Sequence, residues 1–210
     1  MLHYFLTPFK DSFSLLNLFE YITFRAASAA ILALIINFIV GPWVIHILQK
    51  NQIGEEIRPT GPESHMKKRG TPTMGGVIIL MAVLLPTLLF AKLDSPLIQI
   101  IIISTIWMGI IGFLDDYLKV IRKMEKGLIA RYKMAGQIAL GSIVSIWIMM
   151  TPEFAEFSTK TTVPFLKNIE IDLGMLYPMM VILVITGTSN AVNLTDGLDG
   201  LAAGLLAISF

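Results

Sequence analysis

Residues 95–119 read SPLIQIIIISTIWMGIIGFLDDYLK, and this stretch decides the fold. Its first part, 95–114, contains no Asp, Glu, Lys or Arg. An apolar run of roughly 20 residues is what a helix needs to cross a bilayer. Two adjacent aspartates, Asp115 and Asp116, follow directly. The stretch therefore predicts a membrane-spanning helix that ends in a pair of carboxylates.

The same pattern recurs along the chain and predicts an all-α fold. Stretches without those four charged residue types also occupy 26–49, 70–91, 134–152 and 173–195, and a partial one covers 200–210. We predict a polytopic transmembrane helix bundle, a single membrane domain over 1–210 with five full spans and the start of a sixth. Because the last stretch is too short to span, we expect the chain to be incomplete at its C-terminus.

Two segments outside the spans have patterns of their own. Phe5, Phe9, Phe13, Leu16 and Phe19 recur every three or four residues, which predicts an amphipathic segment on the membrane surface over 1–25, although Pro8 weakens that pattern. Between 153 and 172, apolar and polar residues alternate. This alternation predicts a small external β-hairpin.

Composition excludes several classes of protein. Hydrophobic residues make up 55% of the chain and charged residues 15%, which is typical of a membrane protein. The net charge is +1, so we expect no nucleic-acid partner. The chain has no cysteine, which excludes disulfides, zinc–thiolate sites and a cysteine nucleophile.

The distribution of basic residues predicts the orientation in the membrane. The connections after the first and third spans must emerge on the same side, and together they hold 11 of the 16 Lys and Arg residues. The positive-inside rule places those connections in the cytoplasm and the N-terminus outside. Three polar stretches then share the cytoplasmic face: 67–76, 112–119 and 190–200. We expect them to form one site.

The three stretches differ in chemistry. The carboxylates of Asp115 and Asp116 suit a divalent metal or a proton, and Lys119 lies one helical turn beyond Asp115. The competing interpretation is that the aspartates only end a span and pair with the lysines behind them. The stretch KKRGTPTMGG suits diphosphate through Lys68 and Arg69, with Thr71 and Thr73 as hydroxyl donors, or else serves as a positive-inside anchor.

The third stretch, NAVNLTDGLDG, carries amide and acid groups spaced by three residues. Asn190, Asn193, Asp196 and Asp199 would follow one stripe if a helix continued, but the Asp-Gly dipeptides predict a helix end or break here. Such an end exposes backbone and side-chain groups to a ligand. The alternative is that the asparagines bridge helices and the glycines allow close packing.

Three of these stretches together, KRGTPTMGG, GFLDDYLKV and NAVNLTDGLDGL, resemble the phospho-N-acetylmuramoyl-pentapeptide transferases of the polyprenyl-phosphate sugar-1-phosphate transferase superfamily. The resemblance implies a bundle of about ten helices in the bacterial cytoplasmic membrane. It also implies transfer of phospho-MurNAc-pentapeptide from its UDP carrier to undecaprenyl phosphate. The products are lipid I and UMP, in the first membrane step of peptidoglycan synthesis.

The resemblance further implies a Mg²⁺ cofactor and roles for named residues. Asp115 and Asp116 would be catalytic, acting as a base or as a nucleophile. They would also be metal ligands. The substrate-binding residues would be Lys68, Thr73, Lys119, Asn190, Asn193, Asp196 and Asp199. The partners implied are UDP-MurNAc-pentapeptide, undecaprenyl phosphate and membrane lipid, with a second copy of the chain as a further candidate.

Other functions compete with this one. A related transferase would move GlcNAc-1-phosphate to a polyprenyl phosphate, and a transporter would relay ions through inner carboxylates. A non-catalytic fragment is a third alternative. Because a further acidic residue and a histidine-rich motif of the family are missing from the 210 residues, we expect this chain alone to be inactive.

Overall fold

The computed structural model of the chain describes residues 1–9, 13–50, 73–124, 127–163, 166, 169–196 and 200–209. The chain divides into two compact units, Met1–Ile129 and Ala130–Phe210. The prediction of a single membrane domain stays a prediction.

The regular secondary structure described in the first unit is all helical. Its α-helices are α1 (Leu2–Leu6), α2 (Ile22–Lys50), α3 (Gly76–Phe90) and α4 (Pro96–Val120), with 3₁₀ turns at Thr7–Phe9 and Ser14–Glu20. Helix α3 packs against both α2 and α4. Ile78, Ala82 and Pro86 recur every four residues on α3 and are buried, so one face of α3 forms the centre of this unit.

The N-terminal segment is tied to the end of α3. The ammonium of Met1 donates to the carbonyl oxygens of Leu88 and Leu89 at 2.9 and 3.1 Å, which satisfies two carbonyls that a helix end leaves without partners. Pro8 lies in the first 3₁₀ turn, so the segment is a short helix and two turns rather than one continuous amphipathic helix. Phe5, which is 71% exposed, belongs to the predicted membrane-facing set.

Helix α4 carries the aspartates inside it, not after it. It starts at Pro96, where the missing N–H of proline costs nothing, and continues beyond the apolar stretch to Val120. Lys123 then adopts a φ of 52°, and the N–H of Met124 donates to the Leu118 carbonyl at 3.0 Å. This left-handed residue turns the chain back along the last turns of α4.

The second unit has two long helices packed side by side. They are α5 (Ala130–Met150) and α6 (Tyr177–Thr195), followed by α7 (Leu201–Ser209). The Cβ of an alanine at Gly141 of α5 would lie 2.9 Å from the Cα of Ile182 on α6, so only glycine allows this close approach. Leu140 and Val144 are buried beside it.

The predicted β-hairpin is confirmed. Strands β1 (Lys160–Thr162) and β2 (Glu170–Asp172) pair antiparallel, with Lys160 opposite Asp172. Asp172 Oδ1 accepts hydrogen bonds from the Thr159 hydroxyl at 2.7 Å and from the Gly174 N–H at 2.9 Å. These bonds fix the point at which the hairpin leads into α6.

The predicted all-α helix bundle is also confirmed. Four helical segments in the described part of the chain are long and apolar enough to cross a membrane: Ile22–Lys50, Pro96–Val120, Ala130–Met150 and Gly174–Thr195. Helix α3 is apolar but has only 15 residues, because Met74 has a φ of 70° just before the helix begins. Large apolar side chains such as Phe38, 74% exposed, cover the outer surfaces. Such surfaces suit a lipid environment.

Candidate active site

The candidate site residues fall in both units. Thr73, Asp115, Asp116 and Lys119 lie in the first, and Asn190, Asn193 and Asp196 lie in the second. Lys68 and Asp199 are outside the described residues. The prediction that the three polar stretches form one site stays a prediction, and so do the roles of the individual residues.

Asp115 uses both carboxylate oxygens within the first unit. Oδ2 accepts from Lys119 Nζ at 2.9 Å, which confirms the pairing that the spacing of four residues indicated. Oδ1 accepts from the backbone N–H of Leu128 at 2.8 Å. The Asp115 side chain is only 15% exposed. The ion pair fits the competing interpretation of a charged helix end as well as the catalytic one.

Gly127 completes this arrangement, which we call the Asp115 clamp (Asp115, Lys119, Gly127 and Leu128). Gly127 has a φ of +57°, and a Cβ there would lie 2.6 Å from Asp115 Oδ1 and 2.6 Å from Lys119 Cε. Glycine is therefore required both by the backbone angle and by the space. The clamp holds the returning segment after α4 against the carboxylate of Asp115.

Asp116 is half-buried on the next position of α4. Neighbouring residues on a helix point about 100° apart, so its carboxylate faces a different direction from that of Asp115. The two aspartates are thus inequivalent. The sequence already predicts that they cannot fully share one face, and the structure adds an anchoring contact of Asp115 to the backbone.

Thr73 lies just before α3 and carries a buried hydroxyl. Its Oγ1 is buried, and it has no hydrogen-bond partner in the described part of the chain. A buried hydroxyl without a partner costs free energy, so such groups call for an explanation. The next residue, Met74, has a φ of 70°, a strained angle for a side chain of that size. Strain of this kind is concentrated at functional sites.

In the second unit, the predicted stripe lies on α6 and the helix ends where the Asp-Gly dipeptide predicted. Asn190 and Asn193 lie on the last turns of α6, and Asp196 is the residue that follows the helix. The N–H of Asp196 donates to the Val192 carbonyl at 3.0 Å. The helix end at Thr195 confirms that expectation.

Asn190 is held by a hydrogen-bonded group that we call the amide seam (Gln137, Ser189 and Asn190). Gln137 Nε2 donates to Ser189 Oγ at 2.9 Å, and Asn190 Nδ2 donates to Gln137 Oε1 at 3.0 Å. Asn190 Nδ2 also donates to the Thr186 carbonyl at 2.8 Å. The seam confirms the alternative expectation that an asparagine bridges two helices.

One turn nearer the end of α6, Lys133 donates to Asn193 Oδ1 at 3.4 Å. Sequence reasoning assigned neither Lys133 nor Gln137 to the site. The available signal was weak, because an amide in the apolar stretch 134–152 and a basic residue before it are both common in membrane helices. Their partners are more than 50 residues away in the chain.

The described residues contain no set of three His, Cys, Asp or Glu side chains that could hold a metal ion. Mg²⁺, however, is commonly held by one or two carboxylates together with substrate phosphates and water. Asp115 and Asp116 are adjacent acidic groups on one helix turn and fit this type of binding. Each of these carboxylates could take part in holding Mg²⁺, but the two face different directions and Asp115 already accepts hydrogen bonds from Lys119 and Leu128.

The fold and these polar groups define a multi-pass helical membrane protein with acidic, basic and amide side chains near helix ends. Comparison with known proteins finds one family and one signature. The model of glycosyl transferase family 4 matches residues 98–210. Signature 1 of phospho-N-acetylmuramoyl-pentapeptide-transferase matches residues 68–80.

Similar curated proteins agree over the whole chain. The phospho-N-acetylmuramoyl-pentapeptide-transferase of Chlorobium chlorochromatii is 49% identical over 212 residues, which cover 100% of this chain and 57% of that relative. The transferase of the same name from Citrifermentans bemidjiense is 49% identical over 209 residues, covering 100% of this chain and 58% of the relative. The chain belongs to glycosyl transferase family 4, and it resembles the N-terminal part of these transferases. It spans less than 60% of their length.

Proposed function

We propose that the protein transfers phospho-MurNAc-pentapeptide from UDP-MurNAc-pentapeptide to undecaprenyl phosphate, forming lipid I and releasing UMP. The observation that carries the proposal is the identity of 49% along the whole chain to a transferase of that name. The match of residues 68–80 to the signature of those transferases supports the same substrate.

The described side chains suit phosphoryl transfer. The reaction needs positive charge or hydrogen-bond donors on the phosphates and an aligned nucleophile. Lys119 and the Thr73 hydroxyl provide donors, while Asp115 and Asp116 provide carboxylates. Asp116 or Asp115 would act as a base on the lipid phosphate or as a nucleophile, and both mechanisms remain part of the proposal.

Mg²⁺ is the proposed cofactor, held by Asp115 and Asp116. When bound, it would neutralise charge that develops on the transferred phosphate. Lys119, paired with Asp115, would share that role as a positively charged group next to the acids. A second copy of the chain as a partner stays a prediction.

The transfer assay tests the proposed function. Membranes from cells that express the full-length gene are given radiolabelled UDP-MurNAc-pentapeptide or UDP-GlcNAc, together with undecaprenyl phosphate. We expect label to enter the lipid phase from the first donor only, and EDTA to stop the transfer. Preference for UDP-GlcNAc would mean that the donor substrate is that of the related transferase. The expected inactivity of the 210 residues alone is tested by the same assay on the purified chain.

We also propose that the site faces the cytoplasm in the bacterial inner membrane. The 210 residues contain no cysteine, so single cysteines introduced into this chain report its orientation. Met124→Cys lies after α4, and Thr162→Cys lies in the hairpin; both positions are exposed. In intact spheroplasts, an impermeant maleimide should label Cys at 162 but not at 124. The reverse labelling pattern would mean that the site faces the outside of the membrane.

A further inference from the structure

Gln137 is a fully buried amide in the apolar part of α5. Its side chain is 0% exposed, and it contacts α6 through both of its polar atoms. Burying an amide is unfavourable unless its hydrogen bonds are satisfied. Leucine or methionine would fill the same space without that cost, so the amide requires an explanation beyond packing.

The hydrogen bonds fix the orientation of both amides. The carbonyl oxygen of Thr186 can only accept, so the atom of Asn190 that contacts it must be the donor Nδ2. The same Nδ2 contacts Gln137, so the atom of Gln137 that faces it must be the acceptor Oε1. Nε2 of Gln137 then faces Ser189 Oγ. The backbone of α6 thereby determines the orientation of every group in the amide seam.

These hydrogen bonds set the orientation of the Asn190 amide. Both N–H bonds of its amide are used, by the Thr186 carbonyl and by Gln137. Its Oδ1 takes no part in these two bonds, so it is the atom that can accept a hydrogen bond, and the residue is half-buried. Without Gln137, one N–H of Asn190 would lose its partner and the amide could rotate about its terminal torsion.

The frame around the seam is rigid. At Gly141, one turn along α5 from Gln137, the two helix backbones approach so closely that a Cβ would lie 2.9 Å from the Cα of Ile182. Leu140, the residue before Gly141, is 1% exposed. Close backbone packing on one side keeps Gln137 within hydrogen-bond distance of Asn190.

We infer that Gln137 is a positioning residue: it holds Asn190 so that Oδ1 accepts a hydrogen bond from a hydroxyl or N–H group of the nucleotide-sugar substrate. This inference rests on the proposed function, because that function supplies the substrate. Gln137 itself does not touch the substrate. It acts only through the orientation of Asn190.

Kinetics of three variants made in the full-length protein test the role. Gln137→Met removes both hydrogen bonds, and we expect kcat/KM for UDP-MurNAc-pentapeptide to fall about tenfold, mainly through KM. Gln137→Glu should stay within about threefold of wild type, because a carboxyl group offers Asn190 an acceptor in either protonation state. Ser145→Ala is the matched control: Ser145 is equally buried on α5, but among the described residues its hydroxyl donates to the Ser142 carbonyl of its own helix.

A double-mutant cycle separates positioning from general stability. In an Asn190→Ala background, Gln137→Met should change kcat/KM less than twofold, because no amide is left to orient. The full tenfold loss in that background, or no loss in the wild-type background, would overturn the inference. Gln137→Met and Ser145→Ala are also compared in the midpoint of thermal unfolding. If both variants lower this midpoint and lose kcat/KM to the same extent, the inference would be overturned.

A readout that does not depend on turnover distinguishes this inference from the proposed function. In ¹⁵N-asparagine-labelled protein, the side-chain amide protons of Asn190 should exchange slowly in wild type and in Gln137→Glu. They should exchange quickly in Gln137→Met. If wild type transfers no phospho-MurNAc-pentapeptide, the proposed function fails while slow exchange still supports the orientation. Equal exchange rates in wild type and Gln137→Met would overturn the orientation even with full transfer.

Discussion

The Asp115 clamp and the amide seam solve the same problem in opposite ways. Each fixes one polar side chain near the end of a long apolar helix. The clamp uses residues 4 and 13 positions from Asp115 in the sequence, whereas the seam joins residues 52 and 53 positions apart. The clamp holds a charged group with backbone and lysine, and the seam holds a neutral group with neutral partners. Local contacts suit an ion near the membrane edge; paired amides suit the interior between helices.

The aspartate substitutions give the largest expected effect. Asp116→Asn and Asp115→Asn in the full-length protein should each reduce transfer about 10²–10⁴-fold, because the carboxylate is lost as a base or nucleophile. Asp115→Asn keeps an acceptor for the Leu128 N–H, so the returning segment should stay in place. The measurement is transfer per mole of correctly inserted protein. Wild-type transfer by both variants would make the clamp a structural device only.

The seam should be sensitive to helix separation. In Gly141→Ala, the added Cβ would meet the backbone of Ile182, so α5 and α6 must move apart. We expect a loss of about 1–3 kcal/mol in the free energy of unfolding, with slower transfer as the bonds to Asn190 lengthen. Denaturation in mixed micelles provides the measurement.

Gly187→Ala is the matched control on α6, because a Cβ at Gly187 has nothing within 4 Å. Alanine is the better helix former, so this variant should be neutral or more stable by about 0.5–1 kcal/mol. Equal destabilisation by both alanines would mean that the close approach at Gly141 does not hold the seam together.

The two regions also differ in how far sequence could predict them. The spacing of Asp115 and Lys119 was enough to predict their ion pair, and the Asp196-Gly197 dipeptide was enough to predict the end of α6. Gln137 carried no such signal, because its partners become neighbours only when α5 and α6 pack. Periodicity within one helix does not specify which residues of another helix will face it.

Helix boundaries were harder to predict than helix existence. The apolar stretch 95–114 suggested that a span ended just before Asp115, yet α4 continues to Val120. The charge-free stretch marks only where ionisable residues begin, and the backbone hydrogen bonds of the helix continue beyond it. Likewise, Met74 has a φ of 70°, and α3 begins only at Gly76, later than the apolar stretch 70–91 indicated. A methionine gives no sequence signal for a left-handed angle.

Within the clamp, Gly127→Ala should loosen the returning segment. The φ of +57° costs alanine about 1–2 kcal/mol, and its Cβ would displace Asp115 or Lys119. We expect trypsin to cleave faster after Arg122 and Lys123 in membranes opened to the protease. Gly112→Ala on α4, where a Cβ has nothing within 4 Å, should leave the cleavage rate unchanged. An unchanged rate in Gly127→Ala would show that the segment does not depend on the clamp.

We expect the smallest effect in the hairpin, where hydrogen bonds from nearby residues hold an acidic side chain. Hydrogen bonds from the Thr159 hydroxyl and the Gly174 N–H lower the pKa of Asp172 from its ordinary value of 3.8. Because the folded pKa is the lower one, the stabilisation is present above pH 3.8 and is lost as the pH falls through the folded value. The amide-proton shift of Gly174 should therefore titrate at lower pH than a free aspartate, and Asp172→Asn should abolish the titration. A midpoint at or above the ordinary value would mean that these hydrogen bonds do not stabilise the charged form of Asp172.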